Sequence, residues 1–131
     1  ANALALARFL ASHDKVSAVH YPGLTSHAEH QRARTLFRDY GALLSFELAD
    51  GVDPFAVLNR LAVVVLSSNL GDNRTLAIPV AQTFFWEMGR ARREAWGIAE
   101  SLVRVTVGIE DEADQIADIA SAHGLMTALV R

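Results

Sequence analysis

The segment Ser101–Asp111 reads Ser-Leu-Val-Arg-Val-Thr-Val-Gly-Ile-Glu-Asp, and its strict alternation fits an extended strand. Val103, Val105, Val107 and Ile109 fall on one side of such a strand, with Leu102, Arg104 and Thr106 on the other. The first row demands a core. The second presents a guanidinium from mid-strand, and a charge withdrawn from water needs a dedicated partner. Arginine's planar fork suits a carboxylate held through two hydrogen bonds, which lysine cannot copy. That carboxylate could belong to the same sheet or arrive on a ligand, and the pattern alone leaves both open. Gly108 ends the strand and Asp111 opens a helix.

Other periodicities surround this strand. Ala3, Leu6, Ala7 and Leu10 make one apolar stripe of a helix that His13 and Asp14 end. Val16–Tyr21 predicts a short strand stopped by Pro22-Gly23. Ser26 and Glu29 predict a capping box for a helix to about Phe37, with Ala33, Leu36 and Phe37 inward. Ala42–Leu48 predicts a second strand, Leu44, Phe46 and Leu48 opposite Leu43, Ser45 and Glu47. Asp53-Pro54 starts a helix that carries Phe55 and Leu58. The β-branched run Leu61–Ser67 reads as a central strand emptying into the polar loop Ser67–Asn73. A loop there is a usual place for binding groups, or a plain turn.

From Thr75 to Gly89 the signal is mixed, and an irregular segment carrying Pro79 is expected. Ala91–Trp96 predicts a short helix closed by Gly97; Asp111–Val130 predicts the last helix, with Ile116, Ile119 and Ala120 inward and Gly124 weakening its end. The fold class is α/β (α+β-like): a small open-faced sandwich of about four strands with helices mainly on one face. A single domain over residues 1–131 suits that length.

Composition narrows the function. With 51% hydrophobic and 21% charged residues the chain reads as a soluble globular protein. A net charge of −3 and scattered arginines argue against nucleic acid. Cysteine is absent, which excludes disulfides and thiolate metal sites and fits a reducing compartment. The apolar run Leu61–Leu66 is far too short to span a bilayer, and Arg8 interrupts any signal-peptide core. The chain starts without Met and inside a helix, so a piece of something larger is expected. His27 and His30 stand one helical turn apart but read better as a capped helix start with one inward histidine than as metal ligands. Arg90, Arg92 and Arg93 read as a solvated or intersubunit helix face, and the acidic residues of Glu110–Asp114 as charges favoured by the helix dipole.

An ordered set of segments then carries a resemblance. Asn2-Ala3-Leu4, Tyr21-Pro22-Gly23-Leu24, Ser26-His27 with His30, and Leu44-Ser45-Phe46-Glu47-Leu48 come first. Asn69-Leu70-Gly71-Asp72 with Thr75-Leu76, then Arg104 with Val107-Gly108-Ile109-Glu110-Asp111, complete it. Together they resemble the C-terminal domain of the pyridoxal-phosphate enzymes of cysteine and methionine metabolism: cystathionine synthases and lyases, methionine gamma-lyase and the acylhomoserine sulfhydrylases. The resemblance implies β/γ-elimination or γ-replacement on a sulfur amino acid or activated homoserine, in a cytoplasmic homotetramer. It implies that Arg104 binds the substrate α-carboxylate, that Asn69 (or Ser68, if the match slips by one) lies beside cofactor lysine and substrate, and that Thr83 lies near the carboxylate. The family's usual His-Pro-Ala reads Ile78-Pro79-Val80 here, and its histidine after the threonine is Phe84, which leaves the reaction subtype open. Phe84, Phe85 and Trp86 make that wall bulkier and less polar. Lys15, the chain's one lysine, does not match the cofactor lysine. The resemblance therefore places the pyridoxal 5'-phosphate on a preceding N-terminal domain and makes this chain alone inactive. A stand-alone carboxylate-binding or oligomerisation module without catalysis is the alternative.

Overall fold

The alternating segments become strands and pair so that their apolar rows share one face. A computed structural model describes residues 1–122. It runs α1 (Asn2–Ala11), β1 (Val16–His20), α2 (His30–Leu36), β2 (Leu43–Leu48), α3 (Pro54–Leu58) and β3 (Val65–Leu66). Then come β4 (Leu76–Pro79), a 3-10 turn at Trp86–Met88, α4 (Arg90–Ala95), β5 (Leu102–Thr106) and α5 (Glu112–Ala122). These five strands form one sheet in the order β1-β2-β5-β4-β3, antiparallel except for β3 beside β4.

Leu44, Phe46 and Leu48 of β2 meet Val103, Val105 and Val107 in the core, under Leu6 and Leu10 of α1 and Ile119 of α5. Full burial of one such side chain contributes about 1.5–3 kcal/mol. α1 packs on β1, β2 and α5, while α3 packs on β4 and α5, so these helices cover one face and leave the other open. Asp53 caps α3 as its sequence requires, its carboxylate accepting from the Phe55 N–H at 3.0 Å.

Five expectations fail, each for a physical reason. Ile109 lies beyond the strand, where the chain has left the sheet, and is 82% exposed. α2 starts at His30 with Glu29 as N-cap, after successive tight turns through Leu24, His27 and His30, and Ser26 does not cap it. Phe37 is extended and ends that helix, so Leu36 and Phe37 face solvent and only Ala33 is buried. The run Leu61–Ser67 yields only Val65–Leu66, at the sheet edge. The N–H groups of Ala62, Val63 and Val64 are instead taken by the buried Asp118 carboxylate at 2.8, 2.8 and 2.7 Å, so they join no ladder. Conversely, the segment read as irregular contains β4, fully buried between β5 and β3, with Pro79 as its last residue. The expected helix beyond Ala122, with Gly124, lies outside the described residues.

Candidate functional site

Register on the open face lines up His20, Ser45, Arg104 and Ile78 as neighbours across four strands. Above this row is a cleft of about 640 Å³, lined by Leu43, Leu102, Val80 and Phe84 as well as His20 and Arg104. The guanidinium of Arg104 donates through Nη2 to the carbonyl oxygens of Ser68 and Asn69, at 2.9 and 3.4 Å. Its Cζ lies 4.9 Å from the centre of the Phe84 ring. Nε is shielded from water and has no hydrogen-bond partner. Among the described residues no carboxylate forms an ion pair with Arg104. Neutral carbonyls and a ring face hold the group in place without cancelling its charge, which leaves a positive centre suited to an anion.

The loop that supplies those carbonyls is pinned from behind. Ser67 Oγ accepts from the Asn69 N–H at 3.2 Å. Asp72 accepts from both the backbone and the side chain of Arg74, and that pairing holds its carboxyl down at about 2. Thr75 follows, with a hydroxyl that donates to Glu110 and accepts from the Gly108 N–H and the Gln115 amide. Burial alone would raise the Glu110 carboxyl, but hydrogen bonds from Thr75 and Gln115 more than offset it and leave it below the usual range. Gly108 has no room for a Cβ, which would sit 2.3 Å from the Asn73 carbonyl oxygen. Glu110 is thus a tether between loop and helix, not a surface charge at a helix start; Asp111 does that work, accepting from the Ala113 N–H.

Asn69 and Thr83 line a second groove of about 470 Å³ with Ser67, Ser68 and Phe55, next to the first. Asn69 meets Arg104 through its backbone carbonyl, and the Thr83 hydroxyl donates to the Pro79 carbonyl. His20 and Glu47 pair at 2.8 Å on the cleft's rim. The arginine cluster is not a uniform solvated face: Arg90 pairs with Glu94 outside, whereas Arg93 is buried against Glu100. His27 accepts from the Glu29 N–H and His30 bonds the Pro22 carbonyl oxygen, so both fix the turn before α2. Sequence reasoning missed Asp118, Arg93, Glu100 and the Gln115 contact, whose partners are distant in sequence or lie in unpatterned loops.

The profile of the Cys/Met metabolism PLP-dependent enzymes matches residues 1–123. The chain belongs to that family. It is 42% identical over 123 residues to a homocysteine synthase of Schizosaccharomyces pombe, covering 92% of this chain and 29% of that protein. It is 40% identical over 119 residues to an L-methionine gamma-lyase of Fusobacterium nucleatum subsp. polymorphum, covering 90% and 30% respectively. The fold matches cystathionine gamma-lyase from Lactobacillus plantarum complexed with L-serine, with TM-score 0.89 and 30% identity over 94% of this chain and 32% of that one. A second match, at TM-score 0.87 and 32% identity, is a putative O-acetylhomoserine (thiol)-lyase of Campylobacter jejuni carrying N'-pyridoxyl-lysine-5'-monophosphate; it covers 94% of this chain and 30% of that one. The chain therefore spans about 30% of the length of the curated relatives it matches.

The family is pyridoxal-phosphate-dependent, and this chain's own residues do not fit the covalent anchorage of that cofactor. Anchorage needs a lysine amine. Lys15 sits between α1 and β1 and lines neither groove. Among the described residues no helix is long and apolar enough to cross a membrane.

Proposed function

We propose that this chain is the C-terminal substrate-binding domain of a pyridoxal-phosphate enzyme of sulfur amino-acid metabolism. The parent carries out β/γ-elimination or γ-replacement on a sulfur amino acid or an activated homoserine. Its cofactor lysine and phosphate site lie in an N-terminal domain, so the present chain alone is inactive. The parent is a cytoplasmic homo-oligomer, a homotetramer as the resemblance implies. The reading is supported by relatives named as lyases and sulfhydrylases, including an O-succinylhomoserine sulfhydrylase of Pseudomonas aeruginosa at 37% identity.

One observation carries the site assignment. Arg104 stands on the open sheet face, and among the described residues no carboxylate pairs with its guanidinium. The residue is half-buried and lines the cleft, and the α-carboxylate of an incoming amino acid supplies the missing counter-charge at the cleft-facing edge of its guanidinium. Arg104 supplies the grip. Asn69 closes the guanidinium from the loop side, and Thr83 shapes the adjoining groove. In the full-length enzyme, Arg104→Ala should raise KM for the amino-acid substrate about 10- to 100-fold, the equivalent of losing a charge-assisted hydrogen bond. Arg104→Lys should not restore it, because an ammonium lacks the fork. An unchanged KM in Arg104→Ala would remove the assignment.

A further inference from the structure

Arg93 is 3% exposed, although its neighbours Arg90 and Arg92 on the same short helix face solvent. Taking a guanidinium out of water costs several kcal/mol unless every donor is used well. Here they are used on one feature. Nη1 donates to the carbonyl oxygens of Phe85 and Trp86 at 3.2 and 3.0 Å. Nε and Nη2 each approach Glu100 Oε1 at 2.9 Å, and Cζ lies 5.0 Å from the Trp86 ring centre. Glu100 is held in turn, its backbone carbonyl accepting from the Gln82 amide at 2.8 Å. The two ends of the connection between β4 and β5 are also tied, with the Val80 N–H donating to Leu102 O at 3.0 Å. These bonds tie down both ends of the turn over residues 81–85, which carries Phe84.

Phe84 is the residue whose ring lies against Arg104, and Phe85 lines the same cleft. The geometry points to Arg93 as a positioning residue for the carboxylate grip. By fixing the carbonyls of Phe85 and Trp86, it sets the Phe84 ring over Arg104 and so the plane in which that guanidinium meets a ligand carboxylate. The inference rests on the reading that Arg104 binds the substrate carboxylate. A lysine at position 93 keeps the charge but has no fork to serve two carbonyls and a carboxylate together.

The test uses the full-length, cofactor-loaded enzyme with Arg93→Lys, Glu100→Gln, Phe84→Ala and Arg104→Ala, comparing KM, kcat and melting temperature. Arg93→Lys should raise KM for the amino-acid substrate about 10-fold with kcat within about 2-fold, the signature of weakened binding. Glu100→Gln, which disturbs the brace while keeping its shape, should raise KM in the same direction and serves if Arg93→Lys does not fold. Arg93→Lys combined with Phe84→Ala should be no worse than the worse single variant, since both act through one contact. A lowered melting temperature with KM unchanged in Arg93→Lys and Glu100→Gln overturns the inference, as does a double variant whose effects multiply. If Arg104→Ala leaves KM unchanged, the underlying reading fails as well. If Arg104→Ala raises KM while the Arg93 and Glu100 variants do not, only the positioning role fails.

Discussion

Thr75 is fully buried, and its hydroxyl makes three hydrogen bonds at the point where loop, sheet and α5 meet. Thr75→Val keeps the shape and removes all three. Glu110 retains the Thr75 N–H and the Gln115 amide as donors, and Gln115 retains the Gly108 carbonyl, so those groups lose only part of their pairing. The buried Gly108 N–H loses its acceptor outright. One orphaned N–H at about 1–3 kcal/mol plus one charge-assisted bond gives a loss of about 3 kcal/mol. A domain of this size has only about 5–15 kcal/mol in total. Thr75→Ser, which keeps the hydroxyl and loses a methyl, should cost about 1 kcal/mol. Urea unfolding followed by tryptophan fluorescence reads the difference as a midpoint shift of about 1–2 M for Thr75→Val at unchanged slope. Acid should narrow the contrast. The Glu110 carboxyl is held below its unfolded value, so its contribution is present above the unfolded carboxylate range and lost as pH falls through the folded value. Thr75→Val should flatten that acid limb. A Thr75→Val protein as stable as Thr75→Ser would refute the reasoning.

Two further predictions concern the frame. Asp118→Asn replaces one acceptor oxygen facing the N–H groups of Ala62, Val63 and Val64 with a donor, and should cost about 2 kcal/mol; hydrogen exchange should show those amides opening first, and unchanged protection would count against the carboxylate's role. Burial, with help from Asp39 and Tyr40, pushes the Tyr21 phenol above its ordinary value, and its hydroxyl donates to the Gly41 carbonyl at 2.7 Å. Its stabilisation is therefore full below the unfolded value near about 10 and is lost as pH rises through the folded one; Tyr21→Phe should cost about 1 kcal/mol at neutral pH and lose less on going alkaline, as unfolding titrations at both pH values would show.

The sheet face and α1 were legible because each buries one side only, and a period of two or of about 3.6 writes that burial into the sequence. Val103, Val105 and Val107 and the stripe Ala3–Leu10 needed nothing distant to be recognised. What was hidden depended on partners elsewhere. β4 is buried on both faces, so Leu76–Pro79 shows no alternation. The run after Leu61 has the composition of a strand, but Asp118, more than fifty residues on, claims its donors first. Arg90 and Arg93 are indistinguishable by pattern, and only Glu100 and two carbonyls decide which is buried.

The residues that carry the family likeness divide into two kinds of work. Tyr21 is a core phenol, Gly23 makes room for its ring, and His30 holds Pro22. Thr75, Gly108 and Glu110 close the network behind the loop. These specify a frame that presents Arg104 from the open sheet face. The departures from the family likeness at Ile78 and Phe84 lie outside that frame, beside Arg104 in register and against its guanidinium. Where the resemblance expects a histidine after the threonine, Phe84 offers a ring face that does not titrate. A histidine in that position would change charge near neutral pH and so weaken an adjacent cation. With phenylalanine the contact on Arg104 is the same on both sides of neutrality, and the guanidinium is freed from that source of pH dependence.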